Sequence, residues 1–368
     1  MKRVLSVFFL VITATLFVVP SASAANIITI TEPTHRQLDG AFIDDELATL
    51  ISYDGVLGKK IFAPLSSPRI WQIDPALVEE VQAMSAPYLL ADGTEGVGTT
   101  AAQIWLARLK SVTRNDHIVA MPYGNPSGYW IHKLSPHDES YFLTVGAEKL
   151  QTILNRPISV SIAFTNNSKF HLNSLVYQSF VDGKKIINAT ASFMSGEDLE
   201  KYRLRSASVL NPDLTTPRRE YLARDTTATT YALSHKIRLS SSKFTVTSER
   251  QNLPVTVIND FIGEAKLKIY VEAANSRITT PSAPVDLTLP GKSKVQIKVP
   301  VQVITPGQSA LMITIRNAQG AVLSEPTNFP LTLSVISPVA TWFTTGAAIV
   351  LFVAAMVQSA RRIRKARK

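Results

Sequence analysis

Hydrophobic residues along this chain follow three rhythms, and each predicts a different kind of structure. Between residues 27 and 164, short apolar or alternating runs exchange with stretches whose apolar residues fall three or four apart. Residues 27–31, 70–73, 117–121 and 158–164 read as strands, and residues 76–84, 100–110 and 141–154 as helices. A short helix is expected up to Leu50, capped by Asp44. Asp74-Pro75 opens the helix at 76, with the acid at the cap and proline at the first helical position. Strand–helix alternation predicts an α/β layer with parallel strands, shorter than the roughly 250 residues of a complete eight-fold barrel. Residues 165–238 are less regular. Strands are expected at 176–180 and 185–193 around Asp182-Gly183, then a helix from Ser195 to about 210, stopped before Pro212.

The second rhythm begins near Lys236. Strands recur at 244–247, 253–259, 265–273, 285–289, 293–303, 310–317 and 329–335, separated by turn residues such as Asn259-Asp260 and Pro290-Gly291. Period-two alternation is plain in Lys266-Leu267-Lys268-Ile269-Tyr270-Val271. Seven short strands in about 95 residues predict an immunoglobulin-like sandwich.

The third rhythm is unbroken. From Val339 to Val357 no residue is charged, a length that at about 1.5 Å per residue crosses a hydrocarbon core of roughly 30 Å. Arg361, Arg362, Arg364, Lys365, Arg367 and Lys368 follow at once, and such a cluster stays cytoplasmic. The alternative is a buried core helix with a solvated basic tail. The N-terminus predicts the same topology: Met1-Lys2-Arg3, an apolar run over 4–19, then Ala22-Ser23-Ala24, a cleavage site after Ala24. An uncleaved anchor is the alternative there.

The net charge is +10, but six of those charges lie in the tail and two in the leader. The remaining +2 is no footprint for a nucleic acid. With no cysteine, the chain has no disulfide, no thiol nucleophile and no thiolate metal site. It also lacks Gly-x-Ser-x-Gly, His-Glu-x-x-His and a phosphate-cradling Gly loop. Three constellations remain. Asp39, Asp44 and Asp45 offer carboxylates for a hard cation or for acid–base work, or are turn and capping residues. Asp74 and the pair Tyr123, Asn125 each follow a strand, at the edge where parallel sheets hold ligands, or are a cap and a turn. His117, His132 and His137 are the third: His132-x4-His137, with Asp138 beside it, offers candidate zinc ligands but lies in a Pro-containing stretch that reads as a loop. The catalytic candidates are therefore Asp74, Asp44 and Asp45, the ligand-binding candidates Tyr123 and Asn125, with no metal and no cofactor expected.

Several motifs occur in an order that resembles a known family. They are Leu38-Asp39-Gly40-Ala41-Phe42-Ile43-Asp44-Asp45-Glu46-Leu47, Trp71-Gln72-Ile73-Asp74-Pro75, Trp105-Leu106-Ala107-Arg108-Leu109, Ala120-Met121-Pro122-Tyr123-Gly124-Asn125-Pro126 and Leu253-Pro254-Val255-Thr256-Val257-Ile258-Asn259-Asp260, then the span and basic tail. The chain resembles a family of actinobacterial envelope proteins of unassigned activity, anchored by one C-terminal helix and often encoded beside the flippase for lipid-linked peptidoglycan precursor. Larger members look similar to the polysaccharide deacetylase and glycoside hydrolase barrels. This chain keeps the first strand–helix units and lacks the Asp-Asp and His-x3-His metal set.

The resulting expectation is an α+β multidomain chain. It comprises a signal peptide (1–24), a partial, barrel-like α/β region (25–238), an immunoglobulin-like sandwich (239–336), a transmembrane helix (338–359) and a cytoplasmic basic tail (360–368). Such a protein sits in the cell membrane as a single-pass protein, its N-terminal ectodomain outside. It would bind cell-wall glycan, a lipid-linked precursor or a membrane protein, the last through small residues Gly346, Ala347, Ala354 and Ala355. The competing expectation is a carbohydrate-active hydrolase or deacetylase on a reduced barrel.

Overall fold

The computed structural model describes residues 26–64, 68–240, 242–334 and 338–366. The expected signal peptide, Arg367 and Lys368 lie outside the described residues. The chain is mixed α+β.

It opens with β1 (Asn26–Ile30), α1 (Glu46–Ile51), α2 (Val56–Phe62), β2 (Arg69–Ile73), α3 (Pro75–Met84), α4 (Thr99–Val112), β3 (His117–Ala120), α5 (Gly128–Leu134), α6 (Glu139–Leu154) and β4 (Ser159–Val160). The four strands are parallel and lie side by side in chain order. Right-handed crossovers between strands in chain order all place their helices on one face, which is the wall of a barrel. Register confirms the sidedness. Ile28, Trp71 and Ile118 form one row and Ile30, Ile73 and Ala120 another. Both rows pack under the helices with Leu47, Leu57, Val78 and Val81. The intervening row, Thr29, Gln72 and Val119, is only half-buried, and the Thr29 hydroxyl donates to Gln72 Oε1 at 3.4 Å. That row faces the side a closed barrel would enclose. The sheet is thus a half-barrel with its inner face open.

A helical layer follows: α7 (Ser174–Thr190), α8 (Gly196–Ser208) and α9 (Thr216–Ser234). The two strands expected around Asp182-Gly183 are one helix, α7. Asn173 caps it by accepting from the Val176 N–H, and its buried Val176, Phe180, Gly183 and Ile187 recur at three or four residues, the helical period. Gly183 is where α9 crosses closely, since a Cβ there would sit 3.2 Å from Thr226 Cγ2. Helix α9 itself was not expected. Its four β-branched residues Thr226, Thr227, Thr229 and Thr230 disfavour a helix, and packing against α7 overrides them. The strand expected over 158–164 shrinks to β4.

The second half is β5 (Ile237–Ser240), β6 (Phe244–Val246), β7 (Arg250–Asn259), β8 (Ala265–Ala273), β9 (Ile278–Thr279), β10 (Val285–Leu289), β11 (Ser293–Val303), β12 (Gly307–Asn317) and β13 (Thr327–Leu333). The strands form a five-stranded sheet, β10-β8-β12-β13-β6, and a four-stranded sheet, β5-β7-β11-β9. All pairs are antiparallel except β6 with β13. Inward residues of both sheets, including Val255, Val299, Ile313 and Phe329, share one core with Ile187, Phe193 and Leu233 of the helical layer. Helices and sandwich therefore bury each other. The last element is α10 (Pro338–Ala366). Among the described residues, no helix is long and apolar enough to cross a membrane.

Asn317 pins this junction. Its buried amide donates to the Ala189 carbonyl at 2.9 Å and accepts from the Ala321 N–H at 2.9 Å. Asn317→Ala strands both groups and is expected to destabilise the chain by about 1–3 kcal/mol, read as a lower urea midpoint.

Candidate functional site

Asp74 ends β2 and caps α3. Its carboxylate is 0% exposed and accepts from the Ala76 N–H at 2.9 Å, the Gly124 N–H at 2.9 Å and the Thr31 hydroxyl at 3.4 Å. Those donors come from beyond β2, β3 and β1 respectively. Burial, partly opposed by the Gly124 and Ala76 N–H bonds, pushes its pKa up to about 7. Glu80, also buried, accepts from the Thr34 hydroxyl and, at 3.0 Å, from the His35 N–H.

The edge above Asp74 is closed by the helical layer. Gly124 has φ +72°, and a Cβ there would lie 2.4 Å from Ser208 Oγ. The Gly124 carbonyl accepts from Asn211 Nδ2 at 2.9 Å, and the Ser127 N–H donates to the Leu210 carbonyl at 2.9 Å. Tyr123 is buried too. Its hydroxyl donates to Glu79 Oε2 at 3.2 Å, and burial together with the Glu79 charge holds the phenol well above its usual range. Arg205 and Lys149 meet the same carboxylate at 3.4 and 3.6 Å.

The remaining aspartates serve local structure. Asp39 accepts from the Ala41 N–H at 2.9 Å in a turn. Asp45 holds the Tyr88 hydroxyl and, at 2.8 Å, the Val97 N–H. Asp44 belongs to a cluster the sequence reading missed. The buried His35 ring places Nδ1 3.0 Å from Asp44 Oδ1 and 3.0 Å from Arg218 Nη2. Arg218 also bonds Asp44 Oδ2 and lies 3.5 Å from Glu46 Oε2. Burial pushes the Asp44 carboxyl up, but the His35 bond and the Arg218 charge prevail and bring it to about 2. His35, Asp44 and Glu46 are near enough to share a cation, and the Arg218 guanidinium already supplies the positive charge among them. His35 follows β1 as Asp74 follows β2, so position at a strand end was a usable signal for it. Arg218, 183 residues onward, had none. His132 pairs with Glu139 at 2.6 Å, whereas His117 starts β3 at the opposite edge of the sheet.

One part of the strand-end edge stays open. Beyond β4, residues 161–170 fold back onto the turn before α5 and leave a groove of about 660 Å3 between that loop, α5 and the start of α6. Asn125, at φ +44°, accepts from the Thr165 hydroxyl at 2.7 Å. The Ser127 hydroxyl donates to the Ser168 carbonyl at 2.7 Å, and Trp130 Nε1 to the Phe170 carbonyl at 3.2 Å. Gly128 permits the contact, since a Cβ would fall 2.2 Å from Asn167 Oδ1. Tyr129, Phe164, Asn167, Lys133 and the His132–Glu139 pair line the groove, and Ile162 at its lip is 99% exposed. The Lys169 ammonium stands 5.3 Å from the centre of the Tyr129 ring. Asn125 thus helps shape the groove wall through Thr165. The aromatic pair Tyr129-Trp130, separated by two residues from Pro122-Tyr123-Gly124-Asn125-Pro126, was the sequence signal for it. An aromatic and apolar floor with an amide and a few charges at the rim is what a pocket for a polar, flat-faced molecule requires.

The chain is a mixed α/β and all-β protein whose second half carries a shared sequence pattern. It belongs to the family of unknown function DUF6049, which matches residues 176–368, more than half of its length. No curated protein matches. Solved structures resemble about a quarter of the chain. Trypsin-activated alpha-2-macroglobulin from Escherichia coli is 15% identical over 26% of this chain and 7% of its own, with a TM-score of 0.22. The PapD-like domain of human CEP192 is 10% identical over 27% of this chain and 85% of its own, at 0.21. The periplasmic chaperone SfaE is 11% identical over 26% of this chain and 55% of its own, at 0.21.

Asp74 gives the fold a pH signature. Between the usual aspartate pKa near 4 and the folded value of about 7, the folded chain keeps a proton that the unfolded chain has released. Its contribution to stability is therefore full below pH 4 and is lost as pH rises to 7. Asp74→Asn keeps an acceptor for both N–H groups and carries no charge. It is expected to flatten this slope and to raise stability at pH 8 by about 1–3 kcal/mol, measured as urea midpoints at pH 5 and 8.

Proposed function

We propose that this chain is a single-pass, membrane-anchored protein of the cell envelope whose α/β half binds glycan without turning it over. The ligand is a wall polysaccharide or the sugar of a lipid-linked precursor, and it lies in the groove beyond β4. The observation that carries this reading is the contrast between the two parts of the strand-end edge. Over Asp74 the edge is filled by Ser208, Leu210 and Asn211, and each candidate carboxylate is engaged in holding backbone or a neighbouring helix. Beside β4 the edge is open and aromatic. Sugar rings present flat C–H faces that stack on Tyr129 and Phe164, and hydroxyls that Asn167 and the His132–Glu139 pair can meet.

The anchor rests on α10. Its described apolar side chains, Ile349, Leu351, Phe352 and Met356 among them, are all open to the surroundings. Residues 345–357 alone reach about 20 Å; residues 339–344 extend the uncharged run to the roughly 30 Å a bilayer needs. The basic residues after it support a cytoplasmic C-terminus, and the Ala22-Ser23-Ala24 ending supports removal of the leader after Ala24. The sandwich, of immunoglobulin-like kind, then acts as a stalk.

Two experiments test this. The full chain in detergent micelles is expected to bind soluble peptidoglycan fragments saturably with no product by mass spectrometry. Tyr129→Ala should weaken binding about tenfold, a typical loss for an aromatic anchor. Asp74→Asn should leave it unchanged. Turnover that disappears in Asp74→Asn would make the protein a hydrolase and sink the binding reading. For topology, the absence of cysteine allows single probes. An impermeant maleimide should label Gln308→Cys on intact cells and Lys368→Cys only after lysis. The reverse pattern would overturn the orientation.

A further inference from the structure

We propose that the free side of β11 receives an extended, acidic segment of a partner protein as an added strand. β11 pairs with β7 from Ser293 to Gln302, but on its other side β9 covers only Gln302 and Val303. After β9 the chain passes Pro281 and Pro284 and joins the opposite sheet as β10, beside β8. Among the described residues, no strand therefore lies along Ser293 to Val301 on that side.

The register shows which groups are left. The Val303 N–H donates to the Glu249 carbonyl at 2.8 Å, on the β7 side, whereas the Ile304 N–H donates to the Arg277 carbonyl at 2.8 Å, on the other. Backbone direction alternates along an unbroken antiparallel ladder. The N–H and C=O groups of Lys294, Gln296 and Lys298 thus point to the free side, and Pro300, which has no N–H, closes the row. All four residues are exposed. Such a row is a template for strand addition.

Charge selects the occupant. The outward residues of β7 from Arg250 to Thr256, together with Lys294, Gln296 and Lys298, include no acid. A second copy of β11 would set lysine against lysine, which disfavours pairing. A strand with Glu or Asp at alternate positions would instead meet Lys294 and Lys298 across the ladder. At the β9 end, an open hollow of about 520 Å3 beside Arg250, Thr280 and Pro300 gives the end of such a strand room and a third cation.

The probe is a synthetic, end-blocked octapeptide of alternating Glu and Val, added to the full chain in detergent micelles and followed by hydrogen exchange. Amide exchange over residues 293–299 should slow on the order of tenfold at saturation. A Lys–Val octapeptide should have no effect, and the variant K294E/K298E should reverse that preference. Gln296→Pro removes an N–H on the free side only; it should abolish protection by the probe while β7 stays protected, which shows that the sandwich remains folded. Three results would overturn the proposal: no slowing, equal slowing by both peptides, or acidic-peptide binding without slowing. Concentration-dependent slowing without any peptide would assign the edge to a second copy of this chain, and the proposal would fail. None of these outcomes depends on the groove beyond β4.

Discussion

One buried carboxylate sets the terms for the N-terminal half. Asp74 draws the chain beyond β1, β2 and β3 to a single point through Thr31, Ala76 and Gly124. An ionised carboxylate at that depth is costly; two N–H groups and a hydroxyl offset part of the cost, and burial still lifts the carboxyl to about 7. The geometry has consequences further out. Aiming the Gly124 N–H inward requires the left-handed turn at Gly124 and Asn125. That turn leaves no room for a side chain beneath Ser208, so the end of α8 can settle directly on it, and Asn211 then satisfies the Gly124 carbonyl. What resembles a catalytic position by its place after a strand is the joint that lets the helical layer close the sheet.

This accounts for what was legible in the sequence. Elements with a strong local rhythm were readable: α3 from Asp74-Pro75, and β8, β10 and β11 with their observed bounds. Asp74 as a cap was visible, because capping is chemistry between neighbours. Features decided over long separations were not. Asp182-Gly183 has the local character of a turn between two strands; only α9 packing on Gly183 reveals the close helix crossing in α7. The His35–Asp44–Arg218 cluster joins residues nearly two hundred positions apart, and no spacing rule reaches so far. Tyr123 and Asn125 were placed on the correct edge, yet their side chains turn inward, to Glu79 and Thr165.

The same long-range contacts explain why a half-barrel is stable here. Four strands with helices on one face leave the strand ends uncovered, and the chain covers that side with helices. Tyr123, Ile131 and Phe142 from the strand-end side share a core with Val176, Phe180, Leu204 and Leu222 of the helical layer. That layer in turn shares Ile187, Phe193 and Leu233 with the sandwich. The DUF6049 match begins at Val176, two residues into α7, so it takes in nearly all of the layer that meets both cores. It follows that the α/β unit is not a tethered domain with its own free surface on every side. Its strand-end edge is shaped by the helical layer, and among the described residues the flank beyond β4, where α5 and the 161–170 loop meet, lies outside that cover.

Sheet edges show how far this economy goes. An unpaired strand is a hazard in proportion to its length, and most terminal strands here are short: two residues for β4 and β9, three for β6, four for β5. β11 breaks the pattern, with its ladder to β9 stopping at Gln302. A continuation of β9 would have covered it, and a chain with Pro281 and Pro284 at that point cannot make one without losing ladder N–H groups. The lysines and Pro300 along β11 answer the hazard of self-pairing by charge and by a missing donor, not by burial. Protection of that kind is selective: it rejects a strand of like charge and leaves the backbone row available to one of opposite charge.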